Sequence, residues 1–554
     1  MKSRIIAILA ALGAAVLVSC VKIDGRMGSG LVDSSLQYDT YTAEFTLDNL
    51  QMKMADNLSG YSDTRITIGA IRDDVFGLTT RASAFTLIPA YDTLDLGKNP
   101  VPVKFDIHFA CDSVSCADAS QRHILQNVNV YALTKALSSS SLESGTNQDI
   151  PHGTTRISRG VPIYNGADSL SFEFTKDFAQ EYLDKIAALE NSEHVISSYE
   201  DYVAALPGIY IDMDAPEGNG GRINMFELSC LMVSSGKYYR NGNEALLTIN
   251  SEYDGVRKDT TFLFLPGEPA FYNEVEYMSN NTKFYQYAFN RTSHETASRA
   301  GTAGEYAYIE GGGGLKPVVL ASELREKALA IIGTKGDPAK TIINHATIYL
   351  PFEVQGEDYE ALDMFPPIIS PTCMIQTDTS ITFAGLSDAS ASTENQGDID
   401  RSNLAYRPDI THHFQEIILL EDITKLSRYD IWFLTVHTET VETANEGYNS
   451  EYLQQLMYAQ YYNSLYGGYG GYGYGGYGYG YGSYGYGGYG GYGGYSNYYN
   501  YLMLAQYMNN YNSSTTKTTQ ELDKDRYYRG ILNGPGSASE RKPKVKITFS
   551  VPKK

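Results

Sequence analysis

"YTAEFTLD", residues 41–48, alternates without a break: Tyr41, Ala43, Phe45 and Leu47 on one side, Thr42, Glu44, Thr46 and Asp48 on the other. Successive side chains of a strand point to opposite faces, so this period of two predicts a strand of an antiparallel sheet with one dry and one wet face. The pattern recurs in Val103, Phe105, Ile107 and Phe109, in Leu170, Phe172 and Phe174, and near the C-terminus in Val545, Ile547, Phe549 and Val551. Helical spacing is local by comparison. Phe178, Tyr182, Ile186 and Leu189 place a stripe on residues 175–189, Ser197 with Glu200 forms a capping box for a helix that Pro207 and Gly208 stop, and residues 322–332 carry acidic first turns and end at Gly333. Many strands and about three isolated helices predict a mainly β protein built of antiparallel β-sandwich domains.

A chain of 554 residues exceeds what one core organises, so two domains are expected, at 36–270 and 271–554. Its 43 basic and 65 acidic residues leave a net charge of −22, which repels phosphate backbones and excludes nucleic acid as a partner class.

The opening "MKSRIIAILAALGAAVLVSC" sets Lys2 and Arg4 before an apolar stretch from Ile5 to Val18 that is too short to span a bilayer. This is a secretory signal over residues 1–19. Leu17, Val18, Ser19 and Cys20 resemble the lipobox of bacterial lipoproteins, which implies lipid attachment at Cys20 and a lipidated linker over 20–35. Stable anchoring takes two acyl chains, each buried methylene contributing about 0.8 kcal/mol, and requires no transmembrane helix. The address is therefore a membrane, reached through lipid. Val21, Lys22, Ile23 and Asp24 carry one acid where a surface-export tag has a cluster, which leaves the cell surface and the periplasmic face both open.

Four cysteines follow Cys20. Cys111 and Cys116 in "CDSVSC" close a short loop if oxidised, or stand as two thiols, with equal weight. Cys230, between Leu228 and Met232, reads as a small core hydrophobe, and no CxxC occurs anywhere, including around Cys373.

"SGYSDTRITIGAIRDDVFGLTTRASAF", "VNVYAL", "LPGIYIDM", "YIEGGGGLKPVVLASEL", "INHATIYLPFEV" and "RYYRGILNGPG", in this order and ahead of a final alternating strand, resemble the successive blocks of the domain-of-unknown-function family numbered 4270. The resemblance implies an outer-membrane lipoprotein of mostly β structure, without an established activity or cofactor.

From Tyr466 to Tyr495 the chain holds twelve tyrosines, seventeen glycines and one serine, inside an uncharged stretch between Glu451 and Lys517. The run lies in an insertion, residues 444–520, between strands expected at 429–436 and 527–532. Ordering each backbone residue costs about 1–2 kcal/mol, against about 0.5–1.5 kcal/mol for an aromatic pair, so a disordered loop with ends about 30 Å apart is expected. Its tyrosines, Tyr466, Tyr472, Tyr481, Tyr489 and Tyr495 among them, could stack on sugars or on other aromatic chains. The competing reading is an inert insertion.

Catalytic motifs are missing from the sequence. No Gly-x-Ser-x-Gly follows a strand, and His294 with Glu295 lacks the second histidine of a zinc-protease helix. His108 and His437 read as solvated, and adjacent His412 and His413 would point to opposite faces of a strand. "DMDAPEGNGG" offers Asp212, Asp214 and Glu217 to a cation, although Pro216 and the absent distal glutamate depart from a calcium loop, and a plain hairpin from strand 209–212 to strand 222–231 is favoured. Gly311 to Gly314 precede Leu315 and Lys316 and read as a strand connection, and Trp432 reads as core. Three classes follow: a non-catalytic lipoprotein docking on an envelope protein partner, a glycan-binding or adhesive lipoprotein, and, least favoured, a hydrolase with paired carboxylates. No cofactor or metal is expected.

Overall fold

The computed structural model describes residues 37–553, apart from 63–64, 91–92, 138–144, 197, 229–231, 234–236, 239–242, 270–283, 286–287, 355–358, 377–380, 387, 389–396 and 442–516. Cys20, Cys230 and the tyrosine-glycine run, with Tyr466, Tyr472, Tyr481, Tyr489 and Tyr495, lie outside the described residues. The protein is mainly β, and every ladder among the described strands is antiparallel. No helix among the described residues is long and apolar enough to cross a membrane.

The larger unit is a 14-stranded sheet. Its path runs from Ile163–Tyr164 through Gln126–Leu133, Ile209–Met213, Gly77–Phe85, Arg65–Asp73, Gly220–Glu227, Lys98–Cys116, Glu244–Tyr253 and Val256–Pro266 to Leu87–Pro89. That last strand continues Gly77–Phe85 past Thr86, so the sheet curls back to the chain segment at its own middle and encloses a core. Phe105 lies at the centre of that core, its ring 4.7 Å from Phe174, 5.1 Å from Tyr182 and 6.1 Å from Phe264. The helices Lys176–Leu189 and Tyr199–Ala205 are tied to it by the Tyr182 and Tyr202 hydroxyls, which both donate to the Leu87 carbonyl, at 3.1 and 2.7 Å.

Strand 209–213 and strand 220–227 do not form the expected hairpin. Two strands, Gly77–Phe85 and Arg65–Asp73, lie between them, because each pairs with a partner distant in sequence. Cys111 and Cys116 are free thiols, which corrects the disulfide reading. Both belong to the extended strand Lys98–Cys116, where five residues at about 3.3 Å each separate the two Cα atoms far beyond the roughly 7 Å a disulfide spans.

Ser198, not Ser197, caps the second helix, its hydroxyl accepting from the Asp201 N–H at 3.1 Å. Thr175 caps the first by accepting from the Phe178 N–H at 3.2 Å. Thr175→Ala is expected to lower stability by about 1 kcal/mol, the ordinary cost of a lost N-cap, read as a shifted urea midpoint at constant slope.

The second unit is a sandwich. One sheet of five strands is ordered Tyr38–Thr46, Lys544–Pro552, Ile342–Pro351, Ala405–Tyr406 and Ile399–Asp400. The facing seven-stranded sheet holds Gln51–Met54, Leu315–Val319, Ile431–Val441 and Ile368–Gln376, and residues of both sheets share one core with the helices Ala321–Gly333 and Thr411–Leu419. Within it Tyr41 faces Phe549, Ala43 faces Ile547 and Phe45 faces Val545, so the quoted alternating stretch pairs with the last strand of the chain. A cut at residue 270 therefore does not separate the two cores: residues 38–54 belong to the C-terminal one, and strand Ala288–His294 belongs to the N-terminal sheet.

The insertion leaves and returns on paired residues, since Val441 faces Lys517 across the strands Ile431–Val441 and Lys517–Leu522. The strand expected at 527–532 is found at Arg529–Asn533. Trp432 is buried, as expected, edge-on to Phe383 at 5.4 Å.

Candidate functional site

The two units meet across a layer of buried charge. One wall is the outer face of the larger sheet, where Thr67, Gly69, Arg81, Ser83, Asn290, Thr292 and His294 are brought together by cross-strand register: Gly69 and Thr292 each stand opposite Arg81. The other wall is built from the Gly311–Gly314 connection, the strand ends Glu310 and Lys316, and the heptapeptide "DKDRYYR" at 523–529.

Glu310 receives the Thr296 hydroxyl at 2.5 Å, the Leu315 N–H at 2.9 Å and His294 Nδ1 at 3.2 Å. Burial alone would raise this carboxyl, but His294 and these donors bring it down to about 2. His294 is itself held below the usual histidine range by burial, against the pull of Glu310. A neutral ring carrying its proton on Nδ1 fits both neighbours, because Arg81 Nη1 donates to Nε2 at 3.4 Å. Lys316 Nζ donates to the carbonyls of Glu310, Gly312 and Gly314, the last two at 3.0 and 3.2 Å. Burial pushes this ammonium down to about 7, with Glu310 opposing.

The heptapeptide clasps both units. Asp523, 2% exposed, accepts from the Arg526 guanidinium at 3.1 Å and the Tyr528 hydroxyl at 2.6 Å, and lies 3.5 Å from His437. Lys524 donates to the carbonyls of Ser59 and Tyr61 at 3.0 and 2.6 Å, Asn290 reaches Asp525 at 3.4 Å, the Tyr527 N–H meets Ser115 Oγ at 3.3 Å, and Arg529 pairs with Asp73. His437, expected in solvent, is thus buried: its strand's far side is covered by a segment nearly ninety residues later in the chain.

The loop glycines permit this contact. A Cβ at Gly311 would sit 2.2 Å from the Arg526 carbonyl, and one at Gly312, whose φ is +56°, 2.8 Å from Arg81 Nη2. Gly311–Gly314 does connect two strands, as the sequence predicts, and in addition forms the floor of the junction.

The other expected positions lie elsewhere. Asp212 and Asp214 are on the larger sheet's exposed side, where Asn129 donates to both at 3.0 and 2.9 Å and Asn127 donates to Asp214 at 2.9 Å. These amides take up the carboxylates and hold Asp214 below the usual range, while Glu217 is exposed in the following turn. Among the described residues no three His, Cys, Asp or Glu side chains are placed to hold a metal ion. His108 bonds Asp106 and Ser171 at 2.6 and 2.8 Å. His412 and His413 open the helix Thr411–Leu419 instead of a strand, because Asp388 accepts from both of their N–H groups at 2.6 and 3.0 Å. Cys373 sits 3.7 Å from His413, its thiol pushed up to about 12 by burial.

Sequence reasoning did not find Arg81, Glu310, Lys316 or Asp523. The signal that could have found them is the density of charge in "DKDRYYR" directly ahead of a strand, a composition that a solvated loop does not need. Comparison of the chain with protein-family models, with curated proteins and with solved structures finds no match.

Proposed function

We propose that the protein is an outer-membrane lipoprotein of the family its sequence blocks resemble, tethered through Cys20, and that it acts as a non-catalytic structural or partner-binding component of a cell-envelope assembly. The observation that supports this best is the use made of its titratable groups. The densest constellation, Glu310, His294, Lys316 and Asp523 with the half-buried Arg526, lies between the two units, with most of its polar atoms bonded to one another and to backbone. Such a layer fixes two sheet-built units as one rigid body, which suits surface contact with a partner.

Mild solubilisation of the wild-type envelope followed by co-purification is expected to bring down an outer-membrane protein in constant ratio, and recovery of the lipoprotein alone would refute the reading. Cys20→Ala is expected to move the greater part of the protein from the membrane to the soluble fraction. Persistence at the membrane would refute the anchor.

A second reading, glycan binding, is favoured by one observation. On the larger sheet's outer face, exposed His152 stacks on Tyr210 at 4.0 Å and lies 5.2 Å from Tyr131, beside the polar row of Asn127, Asn129, Asp212 and Asp214. A ring with flanking amides and carboxylates is the equipment for a sugar. Binding to a glycan panel that is lost in His152→Ala, with the fold intact, would support it over protein docking.

A further inference from the structure

We propose that the protein pairs with a second copy of itself along the open edge of its first strand, joining two five-stranded sheets into one. Tyr38–Thr46 stands at the end of its sheet and pairs on one side only, with Lys544–Pro552. The ladder runs for nine residues without a bulge. At its two ends the Leu47 N–H donates to the Pro543 carbonyl at 2.9 Å and the Lys553 N–H donates to the Gln37 carbonyl at 2.8 Å. Bonded and unbonded pairs alternate along an antiparallel ladder. The odd-numbered residues therefore turn their N–H and C=O toward Lys544–Pro552, and Tyr38, Thr40, Thr42, Glu44 and Thr46 turn theirs to the open side.

This edge lacks the devices that keep sheet edges apart. The opposite end of the same sheet is two residues long and carries Asp400, paired with Arg407. Tyr38–Thr46 is long, holds no proline and turns no charge inward. Its inward residues Tyr41, Ala43 and Phe45 stay half-buried, although Phe549, Ile547 and Val545 beside them are fully buried, so the core is unfinished along this edge. Lys327 Nζ donates to the Thr46 carbonyl at 2.6 Å, which blocks that end and leaves Thr40–Glu44 as the open stretch.

A second copy fits that stretch. Outward-turned residues bond only to outward-turned residues, and an antiparallel copy centred on Thr42 sets Thr42 against its own counterpart and Thr40 against Glu44 of the copy. Three bonded pairs then exchange two hydrogen bonds each. On the inner face each Tyr41 ring lies beside Ala43 of the copy, where a large side chain covers a small, half-bare one. No like charges meet, since Asp39 falls opposite Phe45 and Glu44 opposite Thr40. Both acids already hold a lysine of the neighbouring strand, Lys553 at 3.8 Å and Lys544 at 2.8 Å. The pairing does not depend on the lipid anchor or on the envelope partner proposed above.

The test measures the mass of the full-length protein in mild detergent by light scattering over a range of concentration, at physiological ionic strength, where the repulsion between chains of net charge −22 is screened beyond about 8 Å. A doubling of protein mass with concentration is expected. Thr42→Pro removes an outward N–H that the single chain does not use, so it is expected to leave the circular dichroism unchanged and to raise the concentration for half-association at least tenfold. On mild oxidation of whole cells, Thr42→Cys is expected to yield a disulfide-linked dimer, because Cα atoms of a bonded pair lie about 5.5 Å apart. Thr40→Cys, displaced from its counterpart by four residues or about 13 Å, is not, and the unsubstituted chain sets the background from the native cysteines. A single-copy mass at every concentration, a dimer unaffected by Thr42→Pro, or Thr42→Cys that cross-links no better than Thr40→Cys or only to a different protein would each overturn the assignment.

Discussion

Asp523→Ala is expected to destabilise the protein by about 3–5 kcal/mol, the cost of removing one partner from a buried ion pair and leaving the others charged or unbonded. Three side chains depend on this carboxylate. Arg526 and Tyr528 donate to it and His437 lies 3.5 Å away, and these three lower a carboxyl that burial alone would raise. Two backbone N–H groups, of Asp525 and Arg526, also end on it at 3.2 and 3.0 Å. The substitution therefore undoes the turn that carries "DKDRYYR" between the units. Urea unfolding should show an earlier midpoint and, if the units part first, two transitions in place of one. A loss under about 1 kcal/mol would mean that water replaces the carboxylate and that the clasp contributes little.

The second large effect concerns pH. Lys316 holds its proton to 10.5 when unfolded and loses it near about 7 when folded. Between those values the unfolded chain binds more protons, so stability rises with pH, at most about 1.4 kcal/mol per unit from this one group. Below pH 7 both states are protonated and the full cost of burying the ammonium is present. Lys316→Met removes the titration while filling similar space. From pH 7 to 9 the wild type should gain roughly 2–3 kcal/mol relative to the variant. The thiols of Cys111 and Cys116, which burial raises above the usual cysteine range, are common to both proteins and cancel in the difference. Parallel curves would show that the folded lysine keeps its proton through this range. The variant also removes the ammonium donor from the carbonyls of Glu310, Gly312 and Gly314, of which Gly314 keeps the Ala55 N–H at 3.2 Å, so its stability at pH 7 is not expected to exceed that of the wild type.

The alternating stretches and the first and third helices were legible because each is a local pattern: Val545, Ile547, Phe549 and Val551 are all buried, and the stripe expected on 175–189 is the helix Lys176–Leu189. The hairpin after Met213 was not, because a turn sequence says where a strand stops and nothing about which strand lies beside it. His437 and the pair His412 and His413 were misread for a related reason. Their surroundings come from Asp523 and Asp388, residues that no window around a histidine contains.

Periodicity by itself determined that this protein is mainly β, with sheets that are dry on one face, since a strand's apolar positions must be buried whichever partner it finds. Pairing across hundreds of residues was decided only by the tertiary structure. It set the first strand against the last and gave residues 38–54 to the C-terminal core. It also gathered Arg81, His294, Glu310, Lys316 and Asp523 into one buried layer, because charged side chains leave water only where several distant segments together supply the bonds that water gave up.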